Sequence, residues 1–386
     1  MYFIESELDK CTVSKGDLLV CEGGDFGRAA IWDFNFNMRI QNHIHKLRPF
    51  GILFIKFFYY LFYFYKNSGL IGGRGIGIQG LSSNALHSLL FPLPPLPEQE
   101  RIVTKFEELL PHIDEYNNKS SELNGLNDSF PEQLKKSILQ EAVQGKLVPQ
   151  DPSDEPASVL LERIREEKAR LVKEGKIKKD KNESVIFRRD NSYYEKSNGV
   201  ERCIDEEIPF EIPDSWEWVR SKNIVNIVSA RRVHQSDWKF QGVPFYRARE
   251  IGKLSDNNYV DNELFISEEL YAEYSKSGVP QEGDLMITAV GTLGKVYIVK
   301  KNERFYYKDA SVICFENYGK LNPEYLKVVI QSPFFIELIK KKSAGTTVNT
   351  LTISNANEYL IPLPPLSEQK RIVQKLEKLS LVYNNL

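Results

Sequence analysis

The chain has little cysteine, little histidine and almost no net charge. Its four cysteines (Cys11, Cys21, Cys203 and Cys314) are scattered, and no two form a C-x-x-C pair. That excludes the common zinc and dithiol signatures and suits a reducing cytoplasm. Five histidines include one close pair, His43 and His45, with no third ligand beside them. A metal site is therefore not expected there. The formal charge is −2 at pH 7, so no global basicity advertises a polyanion partner. A polyanion binder of this composition needs local clusters of cations. Long apolar runs are scarce too. The longest, ILFIKFFYYLFYFY at Ile52–Tyr65, is too short to span a bilayer and carries Lys56. It predicts a helix buried within a domain. No signal-peptide pattern opens the chain, and the expected location is cytoplasmic.

Signatures of catalysis are also missing. An adenine methyltransferase carries Asn or Asp, two prolines and an aromatic residue, but Pro94–Pro95 and Pro364–Pro365 are each followed by leucine. The acidic residues Asp214 and Glu217 lack the lysine that a metal-dependent nuclease places nearby. Gly72, Gly73, Gly75 and Gly77 are not followed by the Lys–Ser/Thr of a phosphate loop. No catalytic residue is expected.

What is present is a proline-rich phrase used twice. FPLPPLPEQERIVTKFEELL begins at Phe91, and IPLPPLSEQKRIVQKLEKLS begins at Ile361. The two align without a gap, so one structural unit occurs twice. The prolines fix φ and hold their predecessors extended. Pro97 or Ser367 then enters a helix, with Glu98 or Glu368 in its first turn. The apolar positions that follow are Ile102, Phe106, Leu109 and Ile113 in one copy, and Ile372, Leu376, Leu379 and Tyr383 in the other. Their alternate steps of four and three make a heptad seam, which wants a partner helix.

The repeat extends upstream. Gly16–Asp17–Leu18–Leu19–Val20, then Gly24, Gly27 and Arg28, matches Gly283–Asp284–Leu285–Met286–Ile287, then Gly291, Gly294 and Lys295. Each copy predicts a turn, a strand, a glycine loop and a second strand. Aligned this way, Met1 falls opposite Glu268, so the first copy is expected to lack the counterpart of Trp216 to about Ser267. Between the copies, residues 98–144 predict a long helix broken near Pro131 and ended by Gly145. A charged helix at about Ala157–Glu174 reads as solvated, and residues 176–200 read as a linker.

These residues resemble the specificity subunit of type I restriction-modification systems. IPDSWEWVRSKNIVNI, from Ile212, is similar to the opening of a target recognition domain in that family, and GVPFYRAREI to its next strand. SFPEQLKKSILQEAVQGKLVPQ at 129–150 is similar to the end of the family's central conserved region. The resemblance implies an α+β fold: two β-rich target recognition domains, the first incomplete here, separated by long conserved helices that form an antiparallel coiled coil. The expected division is 1–92 for the truncated first domain, 93–150 for the first spacer helix and 151–204 for the charged helix and linker. Residues 205–362 form the second domain and 363–386 a short second spacer helix. A helix of about 45 residues is about 68 Å long, enough to set a spacing. The seams Ile102, Phe106, Leu109, Ile113 and Ile372, Leu376, Leu379, Tyr383 are expected to pair.

The resemblance further implies a non-catalytic subunit that reads a bipartite site on double-stranded DNA. Its partners would be two methyltransferase subunits using S-adenosylmethionine, and restriction subunits using ATP and Mg. No cofactor is expected in this chain. The DNA-contact candidates are cations and small polar residues in loops, the types that reach phosphates and base edges. In the second domain they are Arg231, Arg232, His234, Lys239, Arg247, Arg249, Thr292, Lys295, Lys308, Ser343, Thr346 and Thr347. Alternation along FYRAREI puts Arg247 and Arg249 on one strand face. In the first domain they are Arg28, Asn42, His43 and Arg74. Two other readings remain open at this stage. One is a truncated remnant that only assembles with partners or dimerises. The other is an enzyme acting alone, which the missing motifs disfavour.

Overall fold

The computed structural model describes residues 8–71, 80–180, 182–343 and 349–383, with residue 383 by its backbone only. The chain divides into two compact units, Met1–Leu126 and Asn127–Leu386.

The first unit opens with α1 (Leu8–Cys11) and β1 (Thr12–Val13), followed by β2 (Leu18–Cys21), β3 (Ala29–Ile31), β4 (Met38–Arg39) and β5 (Ile44–Leu47). The sheet order is β3-β2-β5, antiparallel throughout, with β1 and β4 as a separate ribbon. Alternation turns Leu18 and Val20 of β2 to one face, beside Ile31 and Leu47. That face packs on α2 (Ile55–Asn67), whose Phe62 is fully buried. The aromatic run does form a helix, but only one stripe of it is covered. Phe57 and Phe62 are buried while Tyr63 and Phe64 are exposed. A helix against a single sheet face buries one stripe, and this run is apolar all round. A short helix, α3 (Ser83–His87), capped by the Ser82 hydroxyl, precedes the prolines.

Next comes α4 (Leu96–Val143), 48 residues long. It passes through Pro131, where the sequence predicted a break. Proline deletes one N–H and crowds the carbonyl four residues back, but the ladder continues on both sides.

In the second unit the last turns of α4 bury Leu139, Ala142 and Val143. Gly145 then terminates the helix at φ +71°, packed so closely that a Cβ would lie 2.5 Å from Pro213 Cγ. Helix α5 (Ala157–Lys173) is not simply solvated. It buries Ala157, Leu160, Leu161 and Ile164 against the main core, and buries one charged residue, Lys168, as well. Residues 184–203 are not a linker either. They form a three-stranded meander of β6 (Ser184–Arg189), β7 (Ser192–Ser197) and β8 (Val200–Cys203). Two tight turns explain it. Asp190–Asn191 and Asn198–Gly199 all adopt positive φ, which those residue types tolerate and two-residue hairpins require.

The second β-rich domain follows with β9 (Glu217–Arg220), β10 (Asn226–Val228), β11 (Val243–Tyr246), α6 (Ala248–Ser255), β12 (Phe265–Ile266) and α7 (Glu268–Tyr274). Then come β13 (Leu285–Thr288), β14 (Val296–Ile298), β15 (Tyr306–Tyr307) and β16 (Val312–Glu316). Helices α8 (Pro323–Gln331), α9 (Pro333–Lys342) and α10 (Ile353–Glu358), strand β17 (Leu360–Leu363) and helix α11 (Leu366–Tyr383) complete it. The main sheet runs β10-β16-β13-β14 and a smaller one β12-β11-β15. Strands β2, β3 and β5 correspond to β13, β14 and β16, and the repeated glycines turn alike: Gly16 and Gly283 lie at φ +91° and +87°. Among the described residues of the first unit, nothing corresponds to β10 or α6.

Both proline phrases build the same joint. The Gln99 side chain donates to the Pro94 carbonyl (2.8 Å) and accepts from the Phe54 N–H (3.0 Å). The Gln369 side chain donates to the Pro364 carbonyl (3.0 Å) and accepts from the Asn322 N–H (3.0 Å). Phe54 and Asn322 are the N-caps of α2 and α8. The second joint has more ties. Glu368, fully buried, accepts from Trp216 Nε1 (2.9 Å) and from the Gln150 amide, and Arg371 pairs with Asp154 at 2.6 Å. Glu98, its counterpart, is exposed.

Along the seams, Ile372 is fully buried in the second unit, and Leu376 packs on the same core as Leu139. Phe106, Leu109 and Ile113 are exposed; Phe106 stacks on Tyr60, and Ile102 and Leu379 are half-buried. The side chain of Tyr383 lies outside the described residues.

Candidate nucleic-acid interface

Strand register gathers most of the second-domain candidates at one end of the two sheets. Val228 of β10 lies opposite Cys314, so the following loop leaves beside the start of β16. Thr288 of β13 lies opposite Val312, so the glycine loop with Thr292 and Lys295 leaves there too. Strands β11 and β15 are parallel with Tyr246 beside Tyr307, so Arg247 and Lys308 emerge side by side. The Lys308 N–H donates to the Tyr246 carbonyl at 2.8 Å.

Each cation in this cluster except Lys308 is held by a carboxylate. Arg231 sits over the Tyr274 ring, 4.2 Å from its centroid, and 3.4 Å from Glu273. Arg232 donates to Asp309 at 3.0 Å, which ties the loop after β10 to the loop before β16. Arg249 donates to Glu263 at 2.6 Å, and Lys295 to Asp256 within the same distance. Arg247 donates to Glu250 at 2.8 Å and approaches Glu263 at 3.4 Å. Burial pushes the Glu250 carboxyl up, but the Arg247 bonds outweigh it and bring it below its ordinary value. The Arg249 bond likewise lowers Glu263. Among the described residues, Lys308 pairs with no carboxylate. The four arginines and Lys295 are pre-positioned by their carboxylates, and phosphate binding would exchange one anion for another.

Several expectations are corrected. The strand FYRAREI ends at Tyr246. Arg247 is an N-cap, and Arg249 lies in the first turn of α6, because Glu250 reaches back to the Arg247 N–H (2.9 Å). Ser343 is buried, not a surface contact. Its hydroxyl donates to the Ile339 carbonyl and accepts from the Thr350 N–H, closing the end of α9. His234 opens a short helical turn two residues past Arg232, and Lys239 bridges Phe265 on the edge of β12 away from β11. Strand β12 therefore separates Lys239 from Arg247 at the end of β11. Thr346, Thr347 and Arg74 lie outside the described residues. In the first unit, Arg28 is exposed beside Asp25 (3.8 Å), and Asn42 and His43 are exposed ahead of β5. Only His45 is on that strand, its ring 2.6 Å from the Leu81 carbonyl. Among the described residues no group of three metal-ligating side chains converges. No helix among them is long and apolar enough to cross a membrane.

Sequence reasoning missed the carboxylates that hold the arginines, and two exposed loop aromatics, Phe240 and Tyr259. Phe240 had a signal: it follows Lys239 in a turn closed by Gly242.

The chain is similar to several known proteins. The type I restriction enzyme EcoAI specificity subunit of Escherichia coli is 32% identical over 342 residues, which is 76% of this chain and 54% of that protein. The EcoEI specificity subunit of the same organism is 29% identical, covering 66% of this chain and 40% of its own length. This chain thus spans about half the length of these relatives. The crystal structure of the HsdS subunit from Thermoanaerobacter tengcongensis aligns with a TM-score of 0.46 at 17% identity, covering 97% of this chain and 76% of that one. The profile described as type I restriction modification DNA specificity domain matches residues 2–124 and 213–385, so both copies of the repeat fall inside it, and the chain belongs to that family.

Proposed function

We propose that this chain is a non-catalytic DNA-specificity subunit of a type I restriction-modification complex. The observation that carries this reading is the convergence of Arg231, Arg232, Arg247, Arg249, Lys295 and Lys308 at one end of the second domain. Loops from separate strands meet there on a rigid sheet, which is how an interface can vary its reading without changing its fold. The spacer helices are the elements that would set the distance between two half-sites. Their outward faces, with the charged face of α5, receive the methyltransferase subunits. S-adenosylmethionine, ATP and Mg belong to those partner subunits and to the restriction subunits. The test is duplex binding by the chain reconstituted with its methyltransferase partner. Affinity is expected to fall steeply between low and moderate salt and to depend on sequence. Binding indifferent to both would overturn the reading.

A second reading gives base recognition to the second domain alone. It is favoured by the first sheet, which has three strands and no counterpart of β10 or α6 among the described residues. In that case two copies of the chain would supply the two readers. Mapping adenine methylation after co-expression separates the two: a bipartite asymmetric motif supports the first, a palindrome or half-site the second.

A further inference from the structure

The glutamine of each proline phrase sits in an unusual position. Gln99 and Gln369 lie in the first turns of α4 and α11, yet both are buried, at 2% and 0% exposure. A surface helix start has no need of a buried amide. Each side chain instead closes the same bridge, from the proline carbonyl that precedes its own helix to the N-cap N–H of a different helix. Glutamine suits this task because it offers a donor and an acceptor at once. Glutamate would lose the donor, and leucine would leave two buried backbone groups without partners. The same geometry recurs in two domains whose surroundings differ. The second joint is reinforced by Glu368, Trp216 and Gln150, while Glu98 in the first is exposed.

We propose that Gln99 and Gln369 are positioning residues that fix the angle at which each spacer helix leaves its β-rich domain. This rests on the reading above, and it assigns them control of the length of unread DNA between half-sites. The lever is long. A helix of 48 residues extends about 72 Å. A change of about 3° at the joint moves its far end by about 4 Å, close to one base-pair step of ~3.4 Å. Gln99 carries more of this control than Gln369, because its joint has fewer other ties.

The experiment has two arms. The first uses the chain assembled with its methyltransferase partner, on a pool of duplexes with constant half-sites and spacers of varied length. The wild type is expected to methylate one length. Gln99→Leu and Gln99→Glu should raise methylation at lengths one base pair longer and shorter at least tenfold, with the preferred half-site bases unchanged; Gln369→Leu should do so less. The second arm needs no partner. Spin labels at the exposed positions Lys15 and Glu122 should give one narrow distance in the wild type and a broadened one in both Gln99 variants. Gln99→Glu keeps the acceptor for Phe54, so it tests the latch even if the leucine variant misfolds. A folded Gln99 variant with unchanged spacer profile and unchanged distance distribution overturns the proposal. A wild type that methylates without site preference refutes the functional reading instead, and the distance arm still decides the latch.

Discussion

Replacing Glu195 with glutamine is expected to destabilise the second unit by roughly 3 kcal/mol at pH 7. Glu195 on β7 and Arg220 on β9 are 5% and 4% exposed. Arg220 donates to both Glu195 oxygens at 3.0 and 2.8 Å, to Glu207 at 2.7 Å and to the Glu358 carbonyl at 2.7 Å. Arg202 of β8 donates to Glu195 as well. One buried carboxylate thus binds the meander to the strand that opens the second domain. Burial alone would raise its pKa, but the bonds from Arg220 and Arg202 prevail and hold it at about 2, against an ordinary 4.5. The folded value is the lower one, so this contribution is complete above the ordinary value and is lost as pH falls toward the folded one. The difference corresponds to roughly 3 kcal/mol, of which about 0.8 kcal/mol is gone by pH 4. The assay is urea unfolding of the full chain and of Glu195→Gln at pH 7 and pH 4. The gap between the two proteins should narrow on acidification. A loss below about 1 kcal/mol at pH 7, or a gap that does not narrow, would refute the reasoning.

Other outcomes follow from the same structure. Lys308→Ala should weaken duplex binding about equally across sequences and reduce the salt slope by about 1, measured on the reconstituted complex. Ser343→Ala should cost about 1–2 kcal/mol in thermal or urea unfolding, by removing the hydroxyl that donates to the Ile339 carbonyl and accepts from the Thr350 N–H, and leave the salt slope unchanged. Gly145→Ala should destabilise by more than 1 kcal/mol, since its Cβ would meet Pro213 at 2.5 Å and its φ is positive. Gly125→Ala, in the open middle of α4, should instead gain up to about 1 kcal/mol. Equal effects at the two glycines would show that packing at the helix end is not what matters.

Much of the fold is legible in the sequence because its signals are local. The paired Gly-Asp turns, the strands after them and the proline entry to each helix are all fixed by neighbours in the chain. The meander at 184–203 was also legible, in Asp190–Asn191 and Asn198–Gly199, but the surrounding lysines and glutamates masked two strong hairpin turns. Arg247 and Arg249 were misplaced because VPFY reads as strand, and nothing but Glu250 announces the helix start. Ser343 follows three lysines, which suggests surface, yet it faces inward to close the end of α9. What could not be read was pairing. That Arg232 meets Asp309, or Arg249 meets Glu263, depends on strand register between distant segments. The site's residue types were visible, whereas its electrostatic balance was a tertiary property.

The two sheets differ on one face in a way that constrains protein engineering. In the second domain Met286, Tyr297 and Cys314 lie side by side, and Ile251 of α6 covers them. The same three positions in the first domain are Leu19, Ala30 and Lys46. Lys46 is already engaged, donating to the carbonyls of Asp9 and Thr12 at 2.9 Å each. Grafting a copy of residues 216–267 onto the first domain would lay the Ile251 face of α6 over that ammonium and leave the hollow where Tyr297 should be. A working chimera therefore needs Lys46→Cys and Ala30→Tyr along with the graft, or the two halves will reject each other.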